Sequence, residues 1–76
     1  MEPIEINAGP WYLTAEALDA WAADEVYTWA VREATTAVEV ARVTLTPDGT
    51  VAGTGEPDAL HTASDAVRRF ALVSGF

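Results

Sequence analysis

Apolar positions change their period several times along the chain, and each change marks an element. From residue 3 to 13, Ile4 and Ile6, then Trp11 and Leu13, alternate with other residues on either side of Asn7-Ala8-Gly9-Pro10. Pro3 and Pro10 resist helix, and the Asn/Gly/Pro cluster is turn chemistry. The segment predicts one bent strand or two short ones. Ala15 to Asp24 is alanine-rich, with Leu18, Trp21 and Ala22 on one helical face, Thr14 as a fair N-cap and Glu16 in the first turn, and it predicts a helix.

Val26 to Glu33 carries the clearest strand signal, β-branched and aromatic, with Tyr27, Trp29 and Val31 on one face and Thr28 and Arg32 on the other. Ala34-Thr35-Thr36 predicts a turn and Ala37 to Thr46 a second long strand. In that strand Val38 and Val40 are out of phase with Val43 and Leu45, which calls for a β-bulge or burial of both faces. Pro47-Asp48-Gly49 is a turn signal, so Thr50 to Ala52 folds back as a third strand. Gly53-Thr54-Gly55-Glu56-Pro57-Asp58 has no periodicity and is expected to be a loop. A last helix, capped by Thr62 or Ser64, runs to about Val73 with Ala63, Ala66, Val67 and Phe70 as its apolar stripe, Arg68 and Arg69 outward and Gly75 as a left-handed cap. The order β-α-β-β-β-α predicts an α+β fold, a single domain over 1–76, with a small, mainly antiparallel sheet and two helices packed on it.

Composition shapes this picture further. Half of the 76 residues are hydrophobic, but 15 of them are alanine, so the core is thin and rests on a few aromatics. A domain of this size buries only about 60% of its unfolded surface. The chain has no cysteine. Without disulfide or thiolate-zinc staples, self-association is the usual remaining way to bury more surface. A homo-oligomer or a protein partner is therefore expected, with Trp11, Tyr12, Trp29 and Phe76 as candidate contact residues, because Trp and Tyr are enriched at such surfaces. No apolar run reaches the roughly 20 residues that span a bilayer, and no membrane association is expected. MEPIEI lacks the features of a secretory signal, and together with the absence of cysteine this fits a cytoplasmic location.

Four Arg and no Lys stand against twelve acidic residues, a net charge of −8, which repels phosphate and disfavours direct nucleic-acid binding. The same charge attracts basic partners, so an acidic inhibitor of a nucleic-acid-binding protein is one function class. His61, the one histidine, and Asp65 lie four residues apart and share a helix face. Such a pair orients an imidazole as a base, or stands as an exposed histidine at a helix start. Glu56, Asp58 and Asp65 offer oxygen ligands beside His61, but not in the alternating spacing of a calcium loop, and the four read as a solvated acidic stretch with no metal and no catalytic residue assigned.

Three segments together carry a family resemblance: MEPIEINAGPWYLT, WAADEVYTWAVREATTAVEVARVTL and HTASDAVRRFALVSGF. They resemble the first strand, the central helix-to-hairpin section and the helix after the cofactor loop of GNAT-type N-acetyltransferases of actinobacterial type, shortened relative to that family. The resemblance implies acetyl-CoA as the alternative cofactor, approached by Gly53 and Gly55 with help from Arg68 or Arg69, in a protein completed by dimerisation. At the place of the family's basic, glycine-rich pyrophosphate loop this chain has Glu56 and Asp58, which repel phosphate, and Pro57, which has no N–H. The leading expectation is therefore a small non-catalytic interaction or self-associating module of GNAT-like type, with no cofactor.

Overall fold

The computed structural model describes residues 1–76. Five strands, β1 (Ile6–Ala8), β2 (Trp11–Glu16), β3 (Tyr27–Glu33), β4 (Glu39–Leu45) and β5 (Val51–Gly55), form one sheet in the order β1-β2-β3-β4-β5, every neighbouring pair antiparallel. Two helices complete it, α1 (Leu18–Ala22) and α2 (Pro57–Val73). This is the α+β architecture expected, with the N-terminal extended segment resolved into two strands. Gly9, at φ 61, is the first central residue of the two-residue loop joining β1 to β2, where a positive φ matches the twist of the strands.

β2 runs further than its composition indicates, and the helix expected over Ala15–Asp24 is cut to five residues. Ala15 and Glu16 pair with Trp29 and Thr28 of β3. Arg32 Nε donates to Thr14 Oγ1 at 3.2 Å and its Nη2 to Glu16 Oε1 at 3.4 Å. Thr14 is thus a strand residue and not an N-cap. Ladder pairing along a central strand outweighs helix preferences that differ by less than about 1 kcal/mol per residue. The chain reverses at Ala17, left-handed at φ 52, and α1 drops Trp21 into the core with no exposed surface.

β3 is the middle strand, and Tyr27, Trp29 and Val31 face the core from it. Ala30, on the opposite face, is also fully buried. The phase conflict in β4 is a β-bulge: Val31 pairs with Ala41 but Arg32 with Glu39, which leaves Val40 as the extra residue. Beyond it Ala41, Val43 and Leu45 are all buried. Gly53 to Gly55, expected in a loop, belong to β5.

The last helix also begins earlier than Thr62 or Ser64. Glu56 is its N-cap, its carboxylate accepting from Asp58 N at 3.2 Å and Ala59 N at 2.7 Å, and Pro57 takes the first turn, where its missing N–H costs nothing. Ala59, Ala63, Ala66, Val67 and Ala71 form the buried face. These small side chains let the helix axis approach the sheet, which curls so that α2 touches both β5 and β1. At the C-terminus, Gly75 (φ 86) lets Phe76 N bond Ala71 O at 2.9 Å and Gly75 N bond Leu72 O at 3.4 Å, a Schellman closure. Phe76 is thereby turned back onto Tyr27, ring centroids 5.7 Å apart, in an aromatic chain that continues through Trp21, Trp29 and Phe70. No helix is long and apolar enough to cross a membrane.

Candidate contact surface

Of the four residues expected at a contact surface, Trp29 is a core residue, and that expectation is corrected. It has 0% exposure, packs edge-on against Trp21 at 4.9 Å and donates from Nε1 to the Ile4 carbonyl at 3.0 Å. Trp11, Tyr12 and Phe76 are half-buried. They do not form one patch: Trp11 and Tyr12 are adjacent in β2 and point to opposite faces, while Phe76 sits beyond the end of α2.

Gly53 and Gly55, candidates for approaching a cofactor, are used for packing inside the chain. A Cβ on Gly53 would meet the Arg42 carbonyl oxygen at 2.4 Å and Leu60 Cδ1 at 2.8 Å. A Cβ on Gly55 would meet Ala41 Cα at 2.4 Å and the Val40 carbonyl oxygen, in the bulge, at 2.6 Å. The first free amides of α2 are occupied by Glu56. Arg68 follows Pro57 by 68 − 57 = 11 residues, about 16 Å along a helix axis, and donates to Asp65 Oδ1 at 3.1 Å. Arg69 lies on the other flank, near Ile4, Ile6, Phe70 and Val73. The structure therefore does not bring the two glycines and the two arginines together. His61 Nε2 lies 3.5 Å from Asp65 Oδ2, and the imidazole is 80% exposed. Asp65 thus serves both His61 and Arg68 on the outer face of α2.

Charges elsewhere are tied into local pairs. Arg42 donates to both carboxylate oxygens of Glu39, holding the Glu39 carboxyl below its ordinary pKa. Asp24 accepts from the amino-terminal ammonium and from Tyr27 Oη; these bonds lower the Asp24 pKa and raise that of Tyr27. Arg69 is the arginine without an ion pair.

What stands open is the outer edge of β5. Thr46 N donates to Thr50 O at 3.0 Å and Glu56 N to Val40 O at 2.9 Å. With the β4–β5 register, Thr54 opposite Arg42 and Ala52 opposite Thr44, these bonds turn the even-numbered residues of β5 toward β4. The backbone N–H and C=O of Val51 and Gly53 consequently point outward. Every side chain from Val51 to Gly55 is uncharged, and Ala52 to Gly55 are exposed. On the same side of the molecule Gly49, Arg68, Ala71, Leu72 and Phe76 line a groove of about 210 Å³ whose rim, Leu72, is 77% exposed. Val73, 89% exposed, borders the opposite flank. This surface is not visible in the sequence, because the pattern after Pro47-Asp48-Gly49 predicts a third strand only to Ala52, whereas β5 runs to Gly55. A signal for Leu72 exists, since it falls on the side of the helix away from the apolar stripe formed by Ala63, Ala66, Val67 and Phe70; Val73, three residues after Phe70, continues that stripe by spacing and carries no such signal. Comparison with known protein families, with curated proteins and with solved structures finds no match to this chain.

Proposed function

We propose that this chain works by protein contact, as a small non-catalytic interaction or self-associating module. The observation that carries this reading is the open, uncharged edge of β5. Unpaired strand edges are templates for another chain, and proteins that do not use them blunt them with charge, proline, bulges or very short strands. β1, the opposite edge, is blunted in this way: it has three residues, with Glu5 before it and Gly9-Pro10 after it. β5 is two residues longer, and the acid and proline that follow it, Glu56 and Pro57, are taken up by the cap and first turn of α2 and leave Val51 to Gly55 without charge or proline. The GNAT resemblance enters the reading as a source of the framework, and acetyl-CoA is not required by it. Net charge of −8 supports a second reading, contact with a basic partner such as a nucleic-acid-binding protein.

Light scattering from micromolar to millimolar concentration tests the proposal, together with purification of the tagged chain from cells that express it. The expected result is a mass that climbs above the 8.1 kDa of one chain, or a stoichiometric protein companion. A mass of 8.1 kDa at every concentration with no companion overturns it. Salt separates the two readings: attraction between opposite charges weakens as salt is added, whereas association of two acidic chains strengthens.

A further inference from the structure

We infer that the occupant of the β5 edge is a second copy of this chain, paired antiparallel about a two-fold axis through Gly53 to give one continuous ten-stranded sheet; this rests on the protein-contact reading above. In that register Gly53 pairs with Gly53 of the partner, and Ala52 lies directly opposite Thr54 of the partner. Three observations favour a second copy over another protein.

First, both contacting edges are then uncharged, so two chains of net charge −8 meet where like charge is absent. Second, the two-fold axis puts both copies of α2 on one face of the joined sheet. α2 makes its closest approach to the sheet at β4 and β5, the side that borders the axis, so the two helices face each other across it. Third, α2 has Glu56 and Asp58 at its start and Arg68, which also bonds Asp65 at 3.1 Å, near its end on the flank of the β5 edge, while Arg69 lies on the other flank. The two-fold runs the helices antiparallel, so the acidic start of each approaches Arg68 of the other. Such self-complementarity is what an isologous interface requires.

Charge placed at Ala52 and Thr54 tests the register, because both side chains are exposed and lie on the sheet face away from α2. Ala52→Glu with Thr54→Glu puts like charges opposite each other twice, and so does Ala52→Lys with Thr54→Lys. Each is expected to weaken the dimer about tenfold or more in sedimentation equilibrium. Ala52→Lys with Thr54→Glu puts opposite charges together and is expected to hold the wild-type affinity or exceed it. Because the two weakened pairs change net charge in opposite directions, a general charge effect cannot produce this pattern. Amide exchange of the wild-type chain gives a second readout that needs no variant: Val51 and Gly53 N–H are protected at dimer concentrations and exchange fast on dilution.

A dimer untouched by either like-charge pair, or weakened equally by all three pairs, overturns the β5 register while leaving self-association standing. Fast exchange at Val51 and Gly53 in the dimer overturns it as well. A wild-type chain that is monomeric at millimolar concentration yet binds another protein overturns the second-copy inference and spares the contact reading.

Discussion

Trp29 separates the role of an aromatic in the core from a role at a contact surface, and truncating it puts a number on the difference. The side chain has no exposed surface, meets Trp21 edge-on at 4.9 Å and Phe70 at 6.0 Å, and anchors the N-terminal segment through the Ile4 carbonyl. Truncating a buried Trp to Ala costs about 3–5 kcal/mol. A 76-residue domain at 0.05–0.15 kcal/mol per residue holds about 4–11 kcal/mol in all. Trp29→Ala therefore removes between about a quarter and the whole of the stability, and Tm is expected to fall by about 12 °C or more. Trp29→Phe keeps a ring but strands the Ile4 carbonyl. It is expected to cost about 2 kcal/mol, with Tm falling roughly 8–16 °C. Far-UV circular dichroism during thermal unfolding reads both variants without depending on the fluorophore that is removed. Trp29→Ala with Tm within about 4 °C of wild type and altered association would refute the core assignment, since no fully buried indole in so small a core is worth less than about 1 kcal/mol.

Three further outcomes follow from single features. Glu56→Ala leaves the Asp58 and Ala59 amides without their acceptor and is expected to cost about 1 kcal/mol, a Tm drop of about 4–8 °C, with Glu56→Gln losing about half as much; an unchanged Tm for the alanine variant would mean the cap contributes nothing. Asp48 accepts from the Thr46 hydroxyl and, at 3.0 Å, from Thr50 N, and these bonds hold its carboxyl below the ordinary 3.8. A carboxyl whose pKa is depressed on folding contributes stability that is complete above the unfolded value and is lost as pH falls through the folded one. The Tm advantage of wild type over Asp48→Asn should hold above about pH 4 and shrink below it; an advantage that persists undiminished in acid contradicts the assignment. Ala17 sits left-handed at φ 52, which costs an L-residue about 1–2 kcal/mol, while Gly in its place gives back about 0.5–1 kcal/mol as unfolded-chain entropy. Ala17→Gly is thus expected to raise Tm by roughly 2–8 °C, and a fall in Tm would argue against stored strain there.

The parts of the fold legible in the sequence are those where side-chain chemistry and backbone period agree. Tyr27, Trp29 and Val31 alternate with Thr28 and Arg32, and β3 is found where they indicate, with the face they indicate. The slip between Val40 and Val43 calls for a bulge or burial of both faces, and the register shift opposite Val31 and Arg32 shows the bulge. Pro47-Asp48-Gly49 and Gly75 carry conformational requirements in their own residues. Legibility fails where a distant partner decides. Nothing within Ala15-Glu16 reports that Trp29 and Thr28 will lie alongside, so alanine content predicts helix where the ladder makes strand. The start of α2 is hidden for a different reason: glutamate is an uncommon cap, and the Ser/Thr preference pointed to Thr62 and Ser64, a turn or more inside the helix.

Gly53 and Gly55 show how one residue type supports opposite functional readings. A glycine states that something comes close to the backbone; it does not state what. A phosphate and a neighbouring strand make the same demand at the level of sequence. The atoms a Cβ would strike decide between them here: the Arg42 and Val40 carbonyls, Ala41 and Leu60 are all parts of this chain. The same absence of side chains then has a second effect. Gly53 gives α2, through Leu60, its close seat on β5, and it leaves the outward side of that strand bare of anything that would hinder another backbone. Tight packing of a thin, alanine-rich core and an open strand edge are in this way consequences of the same residue, which is why substitution at the neighbouring Ala52 and Thr54, and not at Gly53 itself, separates the edge's role from the stability of the fold.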